Sequence, residues 1–321
     1  MSKATAVAHP IQGLVKYHGL RDPVRRIPFH ASISVCTGPI STRTTLEVLD
    51  GGPETAAIDG QPAAGRSMER LRTVVDAVRE QAGDDRPYRM ESSNDFPQFV
   101  GLGSSSSGFA ALAVAAAKAY GWNASQEALS EVARLGAGSA SRAVTGGVSE
   151  WVVEGERSYS RCILAADDLD WSIVVPLVRH EEPTENVHRE VLTSPLFEAR
   201  LAYMDSVLRE ARRAVAERDL HALWAAAERD TLNLHAITMT GEHGHITWRP
   251  PTMAVIHAVR RLREGGLPVW FSIDTGATAY LNTESRHADE VAAAVAGIEG
   301  VSEILRLAPA GPTRLVDGHL F

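Results

Sequence analysis

The sequence has little cysteine, no excess of positive charge and no long apolar run. Its two cysteines among 321 residues, Cys36 and Cys162, lie far apart without the close spacing of a zinc site or a disulfide framework, so we expect two reduced thiols. The formal net charge of −8 argues against a general nucleic-acid binder, which needs a basic face to displace counterions from phosphates. Residues 1–10 lack the apolar stretch of a secretory signal, and the most apolar segment, residues 108–122, is too short to cross a bilayer. We therefore expect a soluble, cytoplasmic protein that binds neither nucleic acid nor membrane.

The composition is that of an ordinary globular protein, with 44% hydrophobic and 22% charged residues and a length that suits two domains. Short β-branched runs predict strands at residues 31–37, 44–49, 87–92, 147–153, 172–178, 268–273 and 303–307. Apolar residues at helical spacing and cap residues predict helices at residues 66–81, 109–120, 125–136, 196–218, 220–239, 252–264 and 286–297. Because long helical patterns dominate beyond residue 178, we expect a domain boundary there.

A loop rich in glycine and serine precedes the alanine-rich helix predicted at residues 109–120. Residues 97–108 read PQFVGLGSSSSG. Glycines let the backbone approach an anion so that successive N–H groups point at it, and a helix N-terminus adds partial positive charge at the same place. The serine hydroxyls can bond phosphate oxygens or help to hold Mg²⁺. A flexible linker explains the composition but not the proline before it or the helix after it, so the pattern favours phosphate binding, although it lacks the Gly-Lys-Ser ending of a Walker A loop.

Residues 97–106 resemble the nucleotide-phosphate loop of the GHMP kinase superfamily, whose pattern is Pro-x-x-x-Gly-Leu-Gly-Ser-Ser. The preceding SNDFP, residues 93–97, is similar to that of the mevalonate diphosphate decarboxylases. Further segments resemble the same family in the same order: KYHGLRD at 16–22, GAGSASR at 136–142, GG at 146–147, EW at 150–151 and FSIDTG at 271–276. A chance resemblance would not preserve one order from residue 16 to residue 276.

The resemblance implies an α+β fold of two domains, the GHMP kinase fold. Residues 1–178 would form a ribosomal protein S5 domain 2-like domain with the phosphate loop, and residues 179–321 a ferredoxin-like α/β domain. ATP, Mg²⁺ and a phosphorylated mevalonate would bind in the cleft between them, in a protein that forms a homodimer. The implied reaction phosphorylates the tertiary hydroxyl from ATP, because hydroxide is a poor leaving group, and then loses phosphate and CO₂ to form an alkene.

The resemblance also assigns roles to individual residues. Asp274 would be the catalytic aspartate that orients or deprotonates the tertiary hydroxyl, with Lys16 and Arg142 completing the catalytic set. Arg142 would hold the substrate carboxylate through its planar guanidinium. The other substrate-binding residues would be Tyr17, Ser139 and Thr184. The nucleotide phosphates would be bound by Gly101, Gly103, Ser104, Ser105 and Ser106, with Ser105 also a ligand of Mg²⁺.

Other readings of these residues stay open at this stage. Asp274 could be a loop aspartate that bonds its own backbone. The sequence Asp-Thr-Gly also occurs in aspartic proteases, but their chemistry needs two such aspartates and this chain has a single Asp-Thr-Gly. His243 and His245 are a weak metal signal without a third ligand. His235 matches a family histidine near the cleft, and a structural histidine is an equal alternative.

Two departures from the family pattern bear on the substrate. Leu20 stands where the diphosphate-using members have lysine, and Ala137 stands where they have serine. Loss of a cation facing a second phosphate would cost about 1.5–3 kcal/mol, so we favour mevalonate 5-phosphate, giving isopentenyl phosphate, over the diphosphate. A kinase that does not decarboxylate, such as a mevalonate 3-kinase, and a catalytically silent metabolite sensor remain alternatives; joint retention of Asp274, Lys16 and Arg142 argues against the kinase.

Overall fold

The computed structural model describes residues 2–97, 101–167, 169–179 and 188–321. The elements up to residue 164 are β1 (Lys3–Ala8), β2 (Ile11–Val15), β3 (Leu20–Asp22), β4 (Ile27–Pro28), β5 (Ser32–Gly38), β6 (Thr42–Val48), β7 (Thr55–Ile58), β8 (Gln61–Pro62), α1 (Gly65–Ala82), β9 (Tyr88–Asn94), α2 (Ser104–Ala119), α3 (Gln126–Gly136), α4 (Ala140–Thr145), β10 (Val148–Glu154) and β11 (Arg157–Leu164). The later elements are β12 (Ser172–Pro176), α5 (Phe197–Glu217), α6 (Leu220–Met239), α7 (Pro250–Glu264), β13 (Val269–Ile273), β14 (Ala279–Thr283), α8 (Ala288–Ala296), β15 (Ile304–Pro309) and β16 (Arg314–Leu315).

The first sheet has six strands in the order β16-β1-β6-β9-β7-β8, and α2 packs against β1 and β6. The alanines of α2, from Ala110 to Ala119, are buried around the helix. Small side chains allow this close packing on all sides, and a helix that is apolar all round belongs in a core. Packing of the rest of α2 in the core therefore fixes the position of its N-terminus.

The second sheet joins the two parts of the chain. Its order is β11-β10-β5-β15-β12-β14-β13, and β2 also pairs with β5. The link is the antiparallel pair of β5 with β15, in which Gly38 lies opposite Ala308. Because β2 and β13 also lie close together, their last residues reach the same region. The strand β12, which precedes residue 178, pairs with β14 and β15 of the later part; the boundary at residue 178 stays a prediction.

The predicted elements differ from the structure mainly at their ends. The helix predicted at 109–120 begins earlier, at Ser104, because Gly103 adopts a left-handed φ of 72° and ends the loop there. The serines therefore form the first turn of α2 rather than a loop. The helix predicted at 286–297 divides into a 3-10 turn, Ser285–His287, and α8. None of the described helices has both the length and the apolarity that crossing a membrane requires.

Candidate active site

A cavity of about 490 Å³ opens between α2, the segment before α4, and the ends of β2 and β13. Most of the site residues predicted from the sequence line it: Lys16, Tyr17, Gly101, Gly103, Ser104, Ser105, Ser106, Ser139, Arg142 and Asp274. Thr184 lies outside the described residues. The fold thus brings together segments that are more than 250 positions apart in the sequence.

Asp274 directly follows β13, and its half-buried carboxylate faces the cavity. Its Oδ1 accepts a hydrogen bond from the backbone N–H of Gly13 at 3.0 Å. A Cβ at Gly13 would lie 2.7 Å from that oxygen, so β2 can approach Asp274 this closely only with glycine at position 13. Burial raises the pKa of Asp274, while Lys16, the Gly13 N–H and Arg142 lower it. Asp274 is therefore not simply a loop aspartate that bonds its own backbone, because its carboxylate accepts a hydrogen bond from Gly13 of β2.

Lys16 directly follows β2 and is 5% exposed. Its ammonium donates to Ser272 Oγ at 2.8 Å, to Thr231 Oγ1 at 2.9 Å and to the Leu14 carbonyl at 3.4 Å. Burial lowers the pKa of Lys16, and the charges of Asp230 and Asp274 oppose that shift. Lys16 is therefore a fixed cation at the cavity wall rather than a solvated surface side chain.

A buried ion pair holds the backbone of Lys16 from both sides. Asp230 Oδ2 accepts from the Lys16 N–H at 2.8 Å, and Arg200 Nη2 donates to the Lys16 carbonyl at 2.8 Å. The two side chains pair with each other at 3.1 Å and are fully buried. Sequence reasoning missed both residues. The available signal was a carboxylate, Asp230, on the apolar face of the helix predicted at 220–239, where Ala226, Ala227 and Leu234 are buried.

Arg142 lies on α4 and is 2% exposed. Its Nη1 donates to Ser32 Oγ at 2.6 Å, and its Cζ lies 5.4 Å from the ring centroid of Tyr17 and 5.6 Å from that of Trp151. Burial lowers the pKa of Arg142 to about 10, so the guanidinium stays charged at neutral pH. Within the described part of the chain its buried Nε finds no hydrogen-bond partner. A buried cation with unused donors at a cavity is suited to a carboxylate ligand.

Tyr17 and Ser139 flank Arg142 in the cavity wall. The Tyr17 ring meets Trp151 edge to face at 4.8 Å and stacks on His188 at 5.0 Å, and burial raises the pKa of its phenol. Ser139 is half-buried immediately before α4, and its hydroxyl does not cap the helix. Tyr17 and Ser139 therefore line the same cavity as the Arg142 guanidinium.

The phosphate loop meets the cavity through the first turn of α2. Gly101 and Gly103 have left-handed φ values of 79° and 72°, and Tyr280 of β14 donates to the Gly101 carbonyl at 2.9 Å. Ser105 is exposed and Ser104 half-exposed at the helix N-terminus. Ser106 differs: its buried Oγ accepts from the Ile11 N–H at 3.2 Å and donates to the Gly103 carbonyl at 2.6 Å. The first two serines are therefore placed to meet an anion, whereas the Ser106 hydroxyl braces the loop.

The described residues contain no group of three or more His, Cys, Asp or Glu side chains that could hold a metal ion. Mg²⁺ commonly keeps several waters and binds through one or two protein oxygens together with substrate phosphates. The exposed Ser105 hydroxyl at the helix N-terminus fits that mode, in which the ion arrives with a nucleotide.

The structure also places Leu20 and the histidines that the sequence analysis singled out. Leu20 lies on β3 opposite Pro28 and is absent from the described cavity lining, which instead includes two guanidiniums that sequence reasoning missed, Arg26 and Arg70. His235 is buried, and burial lowers its pKa to about 3, so it is neutral. His243 bonds Glu190 at 2.9 Å, outside the cavity lining.

The sequence matches the family model of the diphosphomevalonate decarboxylase-like N-terminal domain over residues 8–162 and that of the mevalonate 5-diphosphate decarboxylase C-terminal domain over residues 174–306. It is 45% identical over 316 residues to phosphomevalonate decarboxylase of Haloferax volcanii, covering 94% of this chain and 98% of the relative. It is 28% identical to human diphosphomevalonate decarboxylase, covering 92% and 80% of the two chains. The crystal structure of mevalonate diphosphate decarboxylase from Staphylococcus aureus superposes with a TM-score of 0.92 at 27% identity, covering 98% of both chains. The chain therefore belongs to the mevalonate diphosphate decarboxylase family of the GHMP superfamily, and the two-domain α+β fold predicted from the sequence is confirmed.

Proposed function

We propose that the protein catalyses the ATP-dependent decarboxylation of mevalonate 5-phosphate to isopentenyl phosphate, with CO₂, ADP and phosphate as the other products. The observation that carries this proposal is the convergence, in one cavity, of the α2 N-terminus with Asp274, Lys16 and Arg142. A kinase needs a phosphate-binding site such as the α2 N-terminus. A decarboxylase needs in addition a group that binds the carboxylate that will be lost. The substrate assignment is supported by the relative from Haloferax volcanii, which is a phosphomevalonate decarboxylase.

The substrate carboxylate would bind Arg142. Its guanidinium is preorganised by Ser32 and by the rings of Tyr17 and Trp151, and its unpartnered Nε points to an unmet hydrogen bond. Ser139, which lines the same cavity, would be a further donor. Because the guanidinium is buried, a carboxylate exchanges water for a charge-assisted bond in a medium of low dielectric. This interaction also fixes the orientation of the tertiary hydroxyl toward Asp274.

Asp274 would accept the proton of that hydroxyl, or hold it, as the phosphoryl group is transferred. Burial raises the pKa of Asp274 and so makes the carboxylate a stronger base than a solvated aspartate. ATP would supply the phosphoryl group that turns the hydroxyl into a leaving group. Mg²⁺ would offset the negative charge of the ATP phosphates. The departing phosphate would take this proton from Asp274, and the restored negative charge of the carboxylate would favour the positive charge that develops at C3.

Lys16 would stabilise the negative charge on the transferring phosphoryl group. Its ammonium is held by Ser272 and Thr231, so little reorganisation accompanies the reaction. The nucleotide phosphates would lie against the N–H groups of Gly103, Ser104 and Ser105 at the start of α2, with Ser105 also a ligand of Mg²⁺. Gly101 and Ser106 would shape this loop.

Mevalonate 5-diphosphate is the second candidate substrate. It is favoured by the names of other relatives, among them the human enzyme, and by the presence of Arg26 and Arg70 in the lining, which supply positive charge although position 20 carries no lysine. We prefer the monophosphate because the phosphomevalonate decarboxylase of Haloferax volcanii is 45% identical to this chain, whereas the human diphosphomevalonate decarboxylase is 28% identical.

The test offers ATP and Mg²⁺ with mevalonate, its 5-phosphate and its 5-diphosphate in parallel, and follows ADP and CO₂ separately. We expect equimolar ADP and CO₂ and the highest kcat/KM with the 5-phosphate. A higher kcat/KM with the 5-diphosphate would make the second candidate correct. ADP without CO₂ would identify a kinase, and neither product from any substrate would refute catalysis of this class.

We further propose a homodimer in the cytoplasm. The family resemblance supports the dimer, as do the exposed apolar side chains of Phe29, Leu192 and Leu196, since apolar surface of this kind is common at subunit contacts. The two free cysteines, Cys36 and Cys162, support a reducing compartment. Light scattering coupled to gel filtration would measure the mass, and a mass of one chain would exclude the dimer.

A further inference from the structure

A buried tyrosine of the later part of the chain holds the phosphate loop. Tyr280 of β14 donates its hydroxyl hydrogen to the carbonyl oxygen of Gly101 at 2.9 Å. Gly101 lines the cavity, whereas Tyr280 is 1% exposed and belongs to the same core cluster as Leu14 and Trp171. Because close packing restricts the ring, its hydroxyl is held in one place. The bond therefore ties the loop before α2 to a strand 179 positions later in the sequence.

The hairpin of β13 and β14 places Tyr280 near the proposed base. Tyr280 lies opposite Ser272 in the antiparallel pair of these strands. Side chains directly opposite each other lie on the same face of a sheet. Asp274 directly follows β13, two residues after Ser272, and its charge acts on the phenol of Tyr280. One hairpin thus carries the proposed base and a contact with the phosphate loop.

The phenol of Tyr280 keeps its proton. Burial raises the pKa of Tyr280 well above its usual value, and the charge of Asp274 raises it further. A protonated phenol can donate to the Gly101 carbonyl, which can only accept. The hydroxyl of Thr278 is already engaged, because it accepts from the Val178 N–H and donates to the Val178 carbonyl, each at 3.1 Å. The hairpin therefore holds the Gly101 carbonyl through Tyr280.

The hydrogen bond from Tyr280 determines which way a peptide group of the loop faces. Gly101 has a left-handed φ of 79°, which glycine adopts without strain. The peptide group between residues 101 and 102 is planar and trans, so its C=O and N–H point in opposite directions. With the carbonyl turned toward Tyr280, the Leu102 N–H is turned away from it. A loop that binds an anion must present N–H groups to the ligand and direct its carbonyls elsewhere.

We infer that Tyr280 is a positioning residue for nucleotide binding, whose hydroxyl holds the Gly101 carbonyl and so presets the phosphate loop for the phosphates of ATP. The inference rests on the nucleotide site of the proposed function and deepens it. Tyr280 would act through Gly101 rather than by touching ATP. Its contribution is preorganisation, because a loop that is already held in its binding conformation loses less entropy when the ligand binds.

The experiment compares Tyr280→Phe with the matched control Tyr120→Phe. The Tyr120 hydroxyl also donates to a backbone carbonyl, that of Arg86 at 2.7 Å, and it accepts from Arg79 Nε at 3.0 Å. Tyr120 belongs to the other large core cluster and is not among the described residues that line the cavity. The control variant therefore loses at least as many hydrogen bonds, but at a distance from the phosphate loop.

The measurements are the calorimetric Kd of ATP with Mg²⁺, KM for ATP, kcat, and the Kd of mevalonate 5-phosphate. In Tyr280→Phe we expect Kd and KM for ATP to rise about 3–10-fold, the effect of one lost hydrogen bond. The other two quantities should stay near the wild-type values, and Tyr120→Phe should match the wild type in all four. Replacement of Tyr280 by 4-aminophenylalanine keeps a weaker donor at the same place, so it should restore most of the ATP affinity.

The outcomes separate this inference from the proposed function. The Kd of ATP is measured without mevalonate 5-phosphate, so a wild type that binds ATP but converts none of the three mevalonates would refute the proposed function alone. Equal values of Kd and KM for ATP in Tyr280→Phe and the wild type would overturn the inference alone. An equal rise in the Kd of mevalonate 5-phosphate would also overturn it, because it would indicate a general structural role.

A second variant covers the case in which thermal unfolding shows that Tyr280→Phe is not folded. The 4-aminophenylalanine protein is then compared with the wild type. A small rise in Kd that is confined to ATP supports the inference, because the weaker donor holds the Gly101 carbonyl less firmly. Wild-type values, or a uniform change in the Kd of both ligands, refute it.

Discussion

At the scale of single residues, burial and neighbouring charge shift the pKa values of the proposed catalytic groups. Asp274 has a raised pKa because the cavity wall removes water from its carboxylate, and Lys16 has a lowered pKa for the same reason. Each charge partly offsets the shift of the other. Ser272 and Thr231 take hydrogen bonds from the Lys16 ammonium, so Lys16 is held in place by neutral partners and acts on Asp274 through space.

Asp274→Asn keeps the size of the side chain and removes its charge and its basicity. We expect turnover to fall by at least ~10²-fold, the lower range of acid–base contributions, while the Kd of mevalonate 5-phosphate stays within a few-fold of wild type because Arg142 still holds the carboxylate. Steady-state kinetics and calorimetry measure the two quantities. Asp289→Asn is the control, since Asp289 is fully exposed on α8. Turnover near wild type would remove Asp274 from the mechanism.

Lys16→Met should shift the pH profile in a defined direction. The positive charge of Lys16 lowers the pKa of Asp274, so its removal raises that pKa further. Asp274 must be ionised to act as a base, and activity is lost as the pH falls through its pKa. The acid limb of kcat/KM should therefore move to higher pH in Lys16→Met, in addition to a lower plateau. A limb that stays in place, or moves to lower pH, would mean that another group controls it.

At the scale of elements, the N-terminus of α2 lines the cavity, where the serine-rich pattern predicts that nucleotide phosphates bind. The alanines of α2 allow it to be buried against β1 and β6, and Gly103 allows the chain to enter the helix directly from the loop. Two glycines with nearly the same φ lie at the two ends of this helix. Gly103 precedes it with a φ of 72°, and Gly121 follows it with a φ of 76°.

Gly103→Ala and Gly121→Ala form a matched pair. Both place a side chain in a left-handed conformation, which costs about 1–2 kcal/mol, so both should lower the melting temperature similarly. A Cβ at position 103 would also lie 3.3 Å from Oγ of Ser106, the hydroxyl that braces the loop, whereas one at position 121 meets nothing within 4 Å. We therefore expect only Gly103→Ala to raise KM for ATP. Equal values of KM for ATP in the two variants would mean that the start of α2 does not bind the nucleotide.

At the scale of the whole molecule, the later helices hold the end of an early strand. Arg200 of α5 and Asp230 of α6 clamp the backbone of Lys16 at the end of β2, and β15 closes the sheet onto β5. Asp274 is in turn held by Gly13 of β2. The relative positions of Asp274 and Lys16 therefore depend on the correct association of both parts of the chain.

Asp230→Asn should lower both stability and turnover. It leaves the fully buried Arg200 without its counter-charge, and breaking a buried pair costs about 3–5 kcal/mol. Denaturant unfolding measures this loss. The double variant Arg200→Met with Asp230→Leu removes both charges, so we expect it to regain much of the stability but not the turnover, because the Lys16 backbone has lost both partners. Full recovery of turnover would show that the clamp does not position Lys16.

Local sequence patterns were enough to predict the helices and strands whose defining residues lie within one segment. The helix at residues 220–239 was predicted with its observed bounds because its caps and its apolar periodicity lie within the segment itself. Strands β1, β2 and β14 were not predicted, since each pairs with a strand distant in the sequence, β6, β5 and β12 respectively. The start of α2 was placed too late because serines are compatible with either a loop or a first helical turn.

The sequence by itself determined the family, and it predicted the phosphate loop and the catalytic residues, because each of these is carried by a short motif whose residue types the chemistry requires. The tertiary structure alone decided which side chains reach the cavity. It placed Arg26 and Arg70 in the lining, left Leu20 out of it, and set the Arg200–Asp230 pair around Lys16. These facts depend on the backbone conformation of a turn and on contacts between segments about 200 residues apart, and neither leaves a periodic or local signal in the chain.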